Sequence, residues 1–325
     1  MDSIEREIEE IIKGAIIRTV AFFDLFDYPL ALAEIYKYLY LPERERGHNW
    51  IIKFLLSEIK ISNIEKALES LVIGGRLETK NGFYYLAGRE GLVLERQRRF
   101  NYFNRKIKRA KKIAKIFSCL PWIRMVAIGN IIGAHNLKEE SDIDILIIAE
   151  KGRIWSVRFF TNLVTMALGL RPKKGRTRDK ICLSFYLATD HLELNSTRLE
   201  EDIYLAYWLS GLACVFDRTK TFNKFVRSNI WVSEILPNWK PAQPNTRRRV
   251  ELSFFSLTVS LIILAFSFWL EPVIRRVQLK VFPEEIKDKS ASEKGVVYTN
   301  SIIKLHVKDR REWYREEWKK RIILS

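Results

Sequence analysis

The stretch Val126-Ala-Ile-Gly129-Asn130-Ile-Ile-Gly-Ala-His135-Asn-Leu-Lys-Glu-Glu-Ser141-Asp142-Ile-Asp144-Ile-Leu-Ile-Ile148 decides the architecture. It reads as an apolar strand, a Gly-Asn turn, a polar loop and a second strand. Residues i and i+2 of a strand project to the same side, so Asp142 and Asp144 point together just before Ile145 to Ile148 run into a core. Paired carboxylate oxygens at a strand end suit Mg²⁺ or Mn²⁺, with water and substrate phosphate completing the shell. Gly129 lets the backbone approach a phosphate closely, and the Asn130 amide is a donor for it. An Asp-Ile-Asp triplet by itself is compatible with a solvated turn; the upstream Gly129-Asn130 is what gives it a chemical meaning.

On these residues the chain resembles the nucleotidyltransferase superfamily built on the DNA polymerase beta-type palm. That family carries a Gly-Ser turn, a loop and then Ser-Asp-x-Asp followed by an apolar strand, and Gly129-Asn130 and Ser141-Asp142-Ile143-Asp144 stand in those places. The chain is also similar to a bacterial branch in which a winged-helix segment precedes such a domain. The features carrying that likeness are Phe26-Asp-Tyr-Pro-Leu30, Ser141 to Asp144, Lys180-Ile-Cys-Leu-Ser184 and Leu236-Pro-Asn-Trp239. The resemblance implies metal at Asp142 and Asp144, nucleotide contacts from Gly129, Asn130 and Ser141, and a nucleoside triphosphate as substrate.

The chain departs from this pattern in two ways. Asn130 replaces the turn serine, with one residue more than the usual spacing to the first Asp. Active members also place a third carboxylate on a later strand, and the matching strand here, Ile181 to Leu187, offers Ser184 at its centre. A hydroxyl is a poor metal ligand and takes no proton at neutral pH. Asp179, Asp190 and Glu193 lie just outside that strand and substitute only if their loops fold inward.

At 325 residues and 47% hydrophobic content the chain is long and apolar enough for two or three folded domains. Acidic Glu5, Glu7, Glu9 and Glu10 replace the basic end and apolar run of a cleavable signal, which implies a cytoplasmic location. Cys119, Cys182 and Cys214 are widely spaced in apolar contexts and read as buried free thiols. His48, His135, His191 and His306 do not cluster in sequence. The net charge of +17 is uneven: residues 1–90 hold 12 Lys/Arg against 15 Asp/Glu, whereas residues 91–125 hold 11 against 1.

Along the chain, apolar spacing predicts helices over 10–26, 30–40 and 50–59. A capping box at Ser62-Asn-Ile-Glu65 opens another through Ile73, and a hairpin turns at Asn81-Gly82. Helices followed by a tight hairpin predict a winged helix over 1–92. Glu65, Lys66 and Glu69 on its recognition helix, and its net acidity, weigh against DNA binding and favour a protein partner. A basic connecting helix follows over 93–120, with Phe103, Ile107, Ala110, Ala114 and Phe117 on one face and Arg105, Lys106, Lys108, Arg109, Lys111, Lys112 and Lys115 elsewhere. Residues 121–240 read as a nucleotidyltransferase-like mixed sheet with flanking helices. Within them, Arg171 to Lys180 is a flexible loop with six positive residues, of which Lys173, Lys174 and Arg176 are candidates for gripping a triphosphate.

The remainder, 241–325, reads as a helical region. Leu252 to Leu270 is 19 residues without a charge, enough for a helix of roughly 28 Å and thus a transmembrane candidate. Ser253, Ser256, Ser260 and Ser267 form a small-residue stripe for helix packing. Arg247-Arg248-Arg249 before it, with Arg275, Arg276 and Lys280 after it, argue against spanning and for a re-entrant, interfacial or buried helix. The fold class is therefore α+β. The function it points to is metal-dependent transfer of a nucleoside monophosphate to an unknown acceptor, alternatively a non-catalytic nucleotide sensor or adaptor with a degenerate site.

Overall fold

The computed structural model describes residues 2–47, 49–129, 138–241, 249–265, 270–290, 295–307 and 309–324. His48, Asn130, His135, Arg247, Arg248, Ser267, Phe268 and Trp269 lie outside them. The N-terminal part runs α1 (Asp2–Asp24), β1 (Leu30–Ala31), α2 (Leu32–Lys37), α3 (Trp50–Leu55), α4 (Ile61–Ile73), β2 (Leu77–Lys80) and β3 (Phe83–Leu86), with a small antiparallel sheet in the order β1-β3-β2. The turn at Asn81-Gly82 takes positive φ at both residues, 53° and 76°, as a tight two-residue hairpin requires. Helix α4 begins two residues earlier than the capping box predicts. Its cap is Asn63 reaching back, Oδ1 accepting from the Lys60 N–H at 2.9 Å, in place of Ser62.

Helix α5 (Gly91–Phe117) ties this part to a six-stranded sheet. Near its start the buried Arg99 donates to the carbonyls of Phe26 (2.7 Å) and Asp27 (3.2 Å), and Arg96 pairs with Glu34. Near its end Phe103, Ile107, Ala110, Ile113, Ala114 and Phe117 pack on the sheet. The sheet is built from β4 (Ile123–Ile128), β5 (Ile143–Ala149), β6 (Ile181–Ala188), β7 (Ala213–Asp217), β8 (Val296–Tyr298) and β9 (Ile302–Leu305) in the order β7-β4-β5-β6-β9-β8. Only β5 and β6 run parallel, joined through α6 (Ile154–Ala167); the other neighbours are antiparallel. Alternation divides the strands cleanly. Met125, Ala127, Leu146, Ile148, Phe185 and Leu187 face a core shared with α1 and α7 (Ile203–Ser210), while Val126, Ile128, Ile145, Ile147 and Tyr186 face a second core beneath α5 and α6.

After β7 the chain forms two short helices, α8 (Thr221–Ser228) and α9 (Trp231–Ile235). The C-terminal region is not purely helical either. After α10 (Phe254–Ala265), α11 (Leu270–Val281) and α12 (Glu284–Ser290) it supplies β8 and β9, and α13 (Arg311–Leu324) returns to α1, where Trp318 Nε1 donates to the Arg18 carbonyl at 2.8 Å. The transmembrane expectation finds no support: no helix among the described residues is long and apolar enough to cross a membrane, and residues 266–269 of the predicted run lie outside them.

Candidate metal and nucleotide site

Strand directions bring the chemistry to one end of the sheet. Because β4 and β5 are antiparallel, the residue after β4 and those opening β5 meet, and the Gly129 N–H donates to the Asp144 carbonyl at 2.9 Å. Because β6 runs parallel to β5 with Asp144 opposite Cys182, that thiol lies beside the carboxylates. Because β9 is antiparallel to β6, the chain leaving β9 delivers His306 to the same end. Ligand atoms of Asp142, Asp144 and Cys182 all fall within 4.8 Å of one another.

The surroundings adjust this cluster. Burial raises the Asp142 carboxyl, opposed by the charge of Lys106 and a hydrogen bond from Cys182. Burial, and then the charges of Asp144 and Asp142, push the Cys182 thiol far above its ordinary range, so it stays protonated. Lys106 is fully enclosed at 0% exposure. Its ammonium bonds the carbonyls of Glu139 and Ser141 and pairs with Asp179 at 3.3 Å. Burial lowers its pKa and Asp179 opposes that shift. Asp179 is also gripped by Arg105 at 2.8 Å. Burial would raise its carboxyl, but Arg105 and Lys106 prevail and the net shift is downward.

Ser184, the residue standing where a third acid was sought, bonds His306 Nε2 at 3.1 Å. Burial, with the nearby Lys304 charge, lowers the His306 pKa to about 4, so the imidazole is neutral near pH 7. Its Nδ1 is buried and finds no hydrogen-bond partner among the described residues. His306 lines a cavity of about 170 Å³ with Phe185, Tyr204, Trp208, Lys304 and Tyr314. Phe185 stacks on Trp208 (5.4 Å between centroids) and Tyr204 on Tyr314 (5.2 Å). Gly129 is required here for a reason besides phosphate access: a Cβ on it would come within 3.0 Å of the Trp208 indole. Behind the cavity, the enclosed Arg311 pairs with Asp202 at 2.6 Å and Asp309 at 2.7 Å, and Lys304 reaches Asp309 at 3.5 Å.

Of the expected site residues, Asp142 and Asp144 come together as anticipated and Gly129 lies beside them. Asn130 falls outside the described residues. Ser141 is used in its loop, its hydroxyl donating to the Lys138 carbonyl at 2.9 Å. Lys173 and Arg176 pair in a tight turn, and with Lys174 their side chains are exposed. The loop they occupy is laced to the β4–β5 loop through Arg178 with Glu139 and Thr177 with the Glu140 carbonyl. Of the substitute acids, Asp179 is engaged by α5, whereas Asp190 and Glu193 lie past the opposite end of β6, facing Lys151 and the Asn195 N–H.

Sequence reasoning missed three groups. Cys182 was taken as a buried thiol, yet it and Cys119 are half-buried and only Cys214 is buried. Its position two residues before Ser184 on the same strand was the available signal. Lys106 stands in the sequence among the basic residues off the apolar face, although it falls at i+3 from Phe103 and i−4 from Ala110, on the buried arc. His306 had no sequence signal, because β9 comes from a distant part of the chain.

The donor set fits Mg²⁺ or Mn²⁺. Two converging carboxylates are sufficient protein ligands when water and phosphate complete the shell, and the protonated thiol is not needed. Comparison with known proteins found no family model, no curated protein and no solved structure matching the chain.

Proposed function

We propose that this protein binds a nucleoside triphosphate through Mg²⁺ or Mn²⁺ at Asp142 and Asp144 and transfers the nucleoside monophosphate to an acceptor hydroxyl whose identity is open. The observation that carries this reading is the pair of carboxylates converging at a sheet end, with Lys106 enclosed behind them and an aromatic cavity alongside. When bound, the metal supplies charge neutralisation at the transferring phosphate. The protein's own residues do the rest: Gly129 and Ser141 border the phosphates, and Lys173, Lys174 or Arg176 balance the charge of departing pyrophosphate. His306, neutral near pH 7 and held by Ser184, stands at the same end of the sheet.

A second reading, a nucleotide-binding sensor or adaptor without transfer, is favoured by one specific observation: Cys182 and Ser184 occupy the strand that carries the third acid in the family the chain resembles. In either reading we take the N-terminal helices and hairpin as a winged helix that meets a protein partner, since α4 exposes Glu65, Lys66 and Glu69. A cytoplasmic setting supplies the nucleotide and keeps the three thiols reduced.

Calorimetric titration of ATP, GTP, CTP and UTP with Mn²⁺ tests the common part. Binding that requires metal and disappears in Asp142→Asn/Asp144→Asn is expected, and no binding of any of the four by folded wild type would overturn both readings. Ser184→Asp then separates them: transfer activity absent from wild type and created by this change would establish the sensor.

A further inference from the structure

Helix α10 is inside out for a protein surrounded only by water. Its inward arc holds Ser256 and Ser260, 2% and 5% exposed, with Val259 and Ile263 beside them. Ser256 accepts from the Ser118 hydroxyl at 3.2 Å, and Ser260 donates to the Cys119 carbonyl at 2.9 Å. The opposite arc holds Phe254, Phe255, Leu257, Leu261, Ile262 and Leu264, with Phe254 87% and Phe255 70% exposed. It carries no charge. Burial of serines therefore fixes the helix in the orientation that displays its apolar side. Contiguous apolar surface of this kind marks a contact site.

The charges around it indicate what it contacts. Beside Ser118, the last turns of α5 expose Lys112 and Lys115. Helix α11 packs on the same core as α10, turning Ile274 and Gln278 inward and showing a stripe of Val273, Arg276, Val277, Lys280 and Val281 at i, i+3, i+4, i+7 and i+8. Apolar residues interleaved with Lys and Arg match a bilayer interface, where the apolar groups enter the acyl boundary and long basic side chains reach anionic headgroups.

We infer that the outward arc of α10, together with the outer stripe of α11 packed on the same core, is a peripheral binding surface for an anionic lipid bilayer. It lies across the sheet from the carboxylate cluster, so lipid contact leaves the nucleotide end open, and it stands whether or not the nucleotide reading holds. The segment rests in the interface without crossing it, which agrees with the basic residues on both sides of it.

The test is sedimentation of the full chain with phosphatidylcholine vesicles, with and without phosphatidylglycerol, together with light scattering of the protein alone. Wild type is expected to pellet with the anionic vesicles and to remain in solution with the neutral ones. Phe254→Ser/Phe255→Ser/Leu261→Ser should reduce partitioning by more than about tenfold, and Arg276→Glu/Lys280→Glu by about fivefold or more for each charge removed. All of these side chains are on the exposed face, so the variants should fold. Failure of wild type to bind anionic vesicles, undiminished binding by the apolar triple variant, or a wild-type dimer that the triple variant converts to monomer would each overturn the inference.

Discussion

On the side of the sheet that carries Asp144, Cys182 and Phe185, charged groups lie inside the protein and are held by partners; on the other, α10 turns hydroxyls inward and shows phenyl rings to the surroundings. Both arrangements oppose the usual distribution of polar and apolar groups. They differ in what removal of one group leaves behind. Inside the first, an unpartnered charge remains in a poorly solvated place; outside the second, an exposed ring is simply replaced by water. Stability should therefore depend strongly on single residues on the front and weakly on those at the back.

The sharpest test is Arg311→Met. The guanidinium, 5% exposed, joins Asp202, Asp309 and the Thr197 carbonyl (2.8 Å), and Asp202 is 0% exposed while also capping α7 through the Leu205 N–H at 2.9 Å. Removing one partner of a buried pair leaves the other unpaired, and a loss of about 3–5 kcal/mol is expected in urea unfolding. Pairing the change with Asp202→Leu should recover part of that loss. A cost near zero for Arg311→Met would show that the front is not sealed.

Gly295→Ala probes the same region through backbone. A Cβ there would stand 2.7 Å from the His306 carbonyl oxygen and 2.8 Å from the Asp309 Cβ. His306 in turn donates its N–H to the Gly295 carbonyl at 3.0 Å, so the two strands cannot part freely. Thermal unfolding should register a loss of about 2 kcal/mol. Since His306 moves with that loop, the Ser184–His306 bond should weaken as well.

These residues also mark how far the sequence could be read. Asp142 and Asp144 were legible because a strand's two-residue period places them together whatever the rest of the fold does. The N-terminal hairpin was legible because Asn81-Gly82 suits its φ values. Local rules end there. Cys182 meets Asp144 only through a parallel pairing formed across α6, and His306 just after β9 and Arg311 at the start of α13 lie 122 and 109 positions from Ser184 and Asp202, which they bond. The apolar run 252–270 was legible as composition but not as orientation. Which arc of α10 turns inward depends on Ser118, Cys119 and Arg218, and no periodicity within the run records them.

The front should also respond to acid. Burial lowers the folded pKa of His306 from its ordinary 6.5 to about 4, so below pH 6.5 the unfolded chain takes up a proton that the folded protein refuses. Its contribution to stability is complete above that pH and is lost as pH falls toward 4, after which the deficit stops growing. The raised Asp142 carboxyl acts in the opposite sense, because the folded state then favours its proton. The informative quantity is thus the difference between wild type and His306→Gln, which should narrow by about 3 kcal/mol between neutral pH and pH 4. A constant difference would mean that the imidazole is solvated and that the cavity beside Trp208 is open to water.

The smallest effect belongs to the back. In Phe254→Ser/Phe255→Ser both rings are already mostly exposed, and the helix retains its inward contacts through Ser256 and Ser260, with Ser253 capping it by accepting from the Ser256 N–H at 3.1 Å. The stability change in urea should stay within about 0.5 kcal/mol for each site. Ser260→Ala on the same helix makes the contrast internal. It removes a buried hydroxyl and leaves the Cys119 carbonyl without that donor, so this one-atom change should cost more, about 1 kcal/mol, than deleting two aromatic rings. If the phenyl changes prove the costlier, α10 packs by its apolar arc in solution and the two sides of the sheet obey one rule after all.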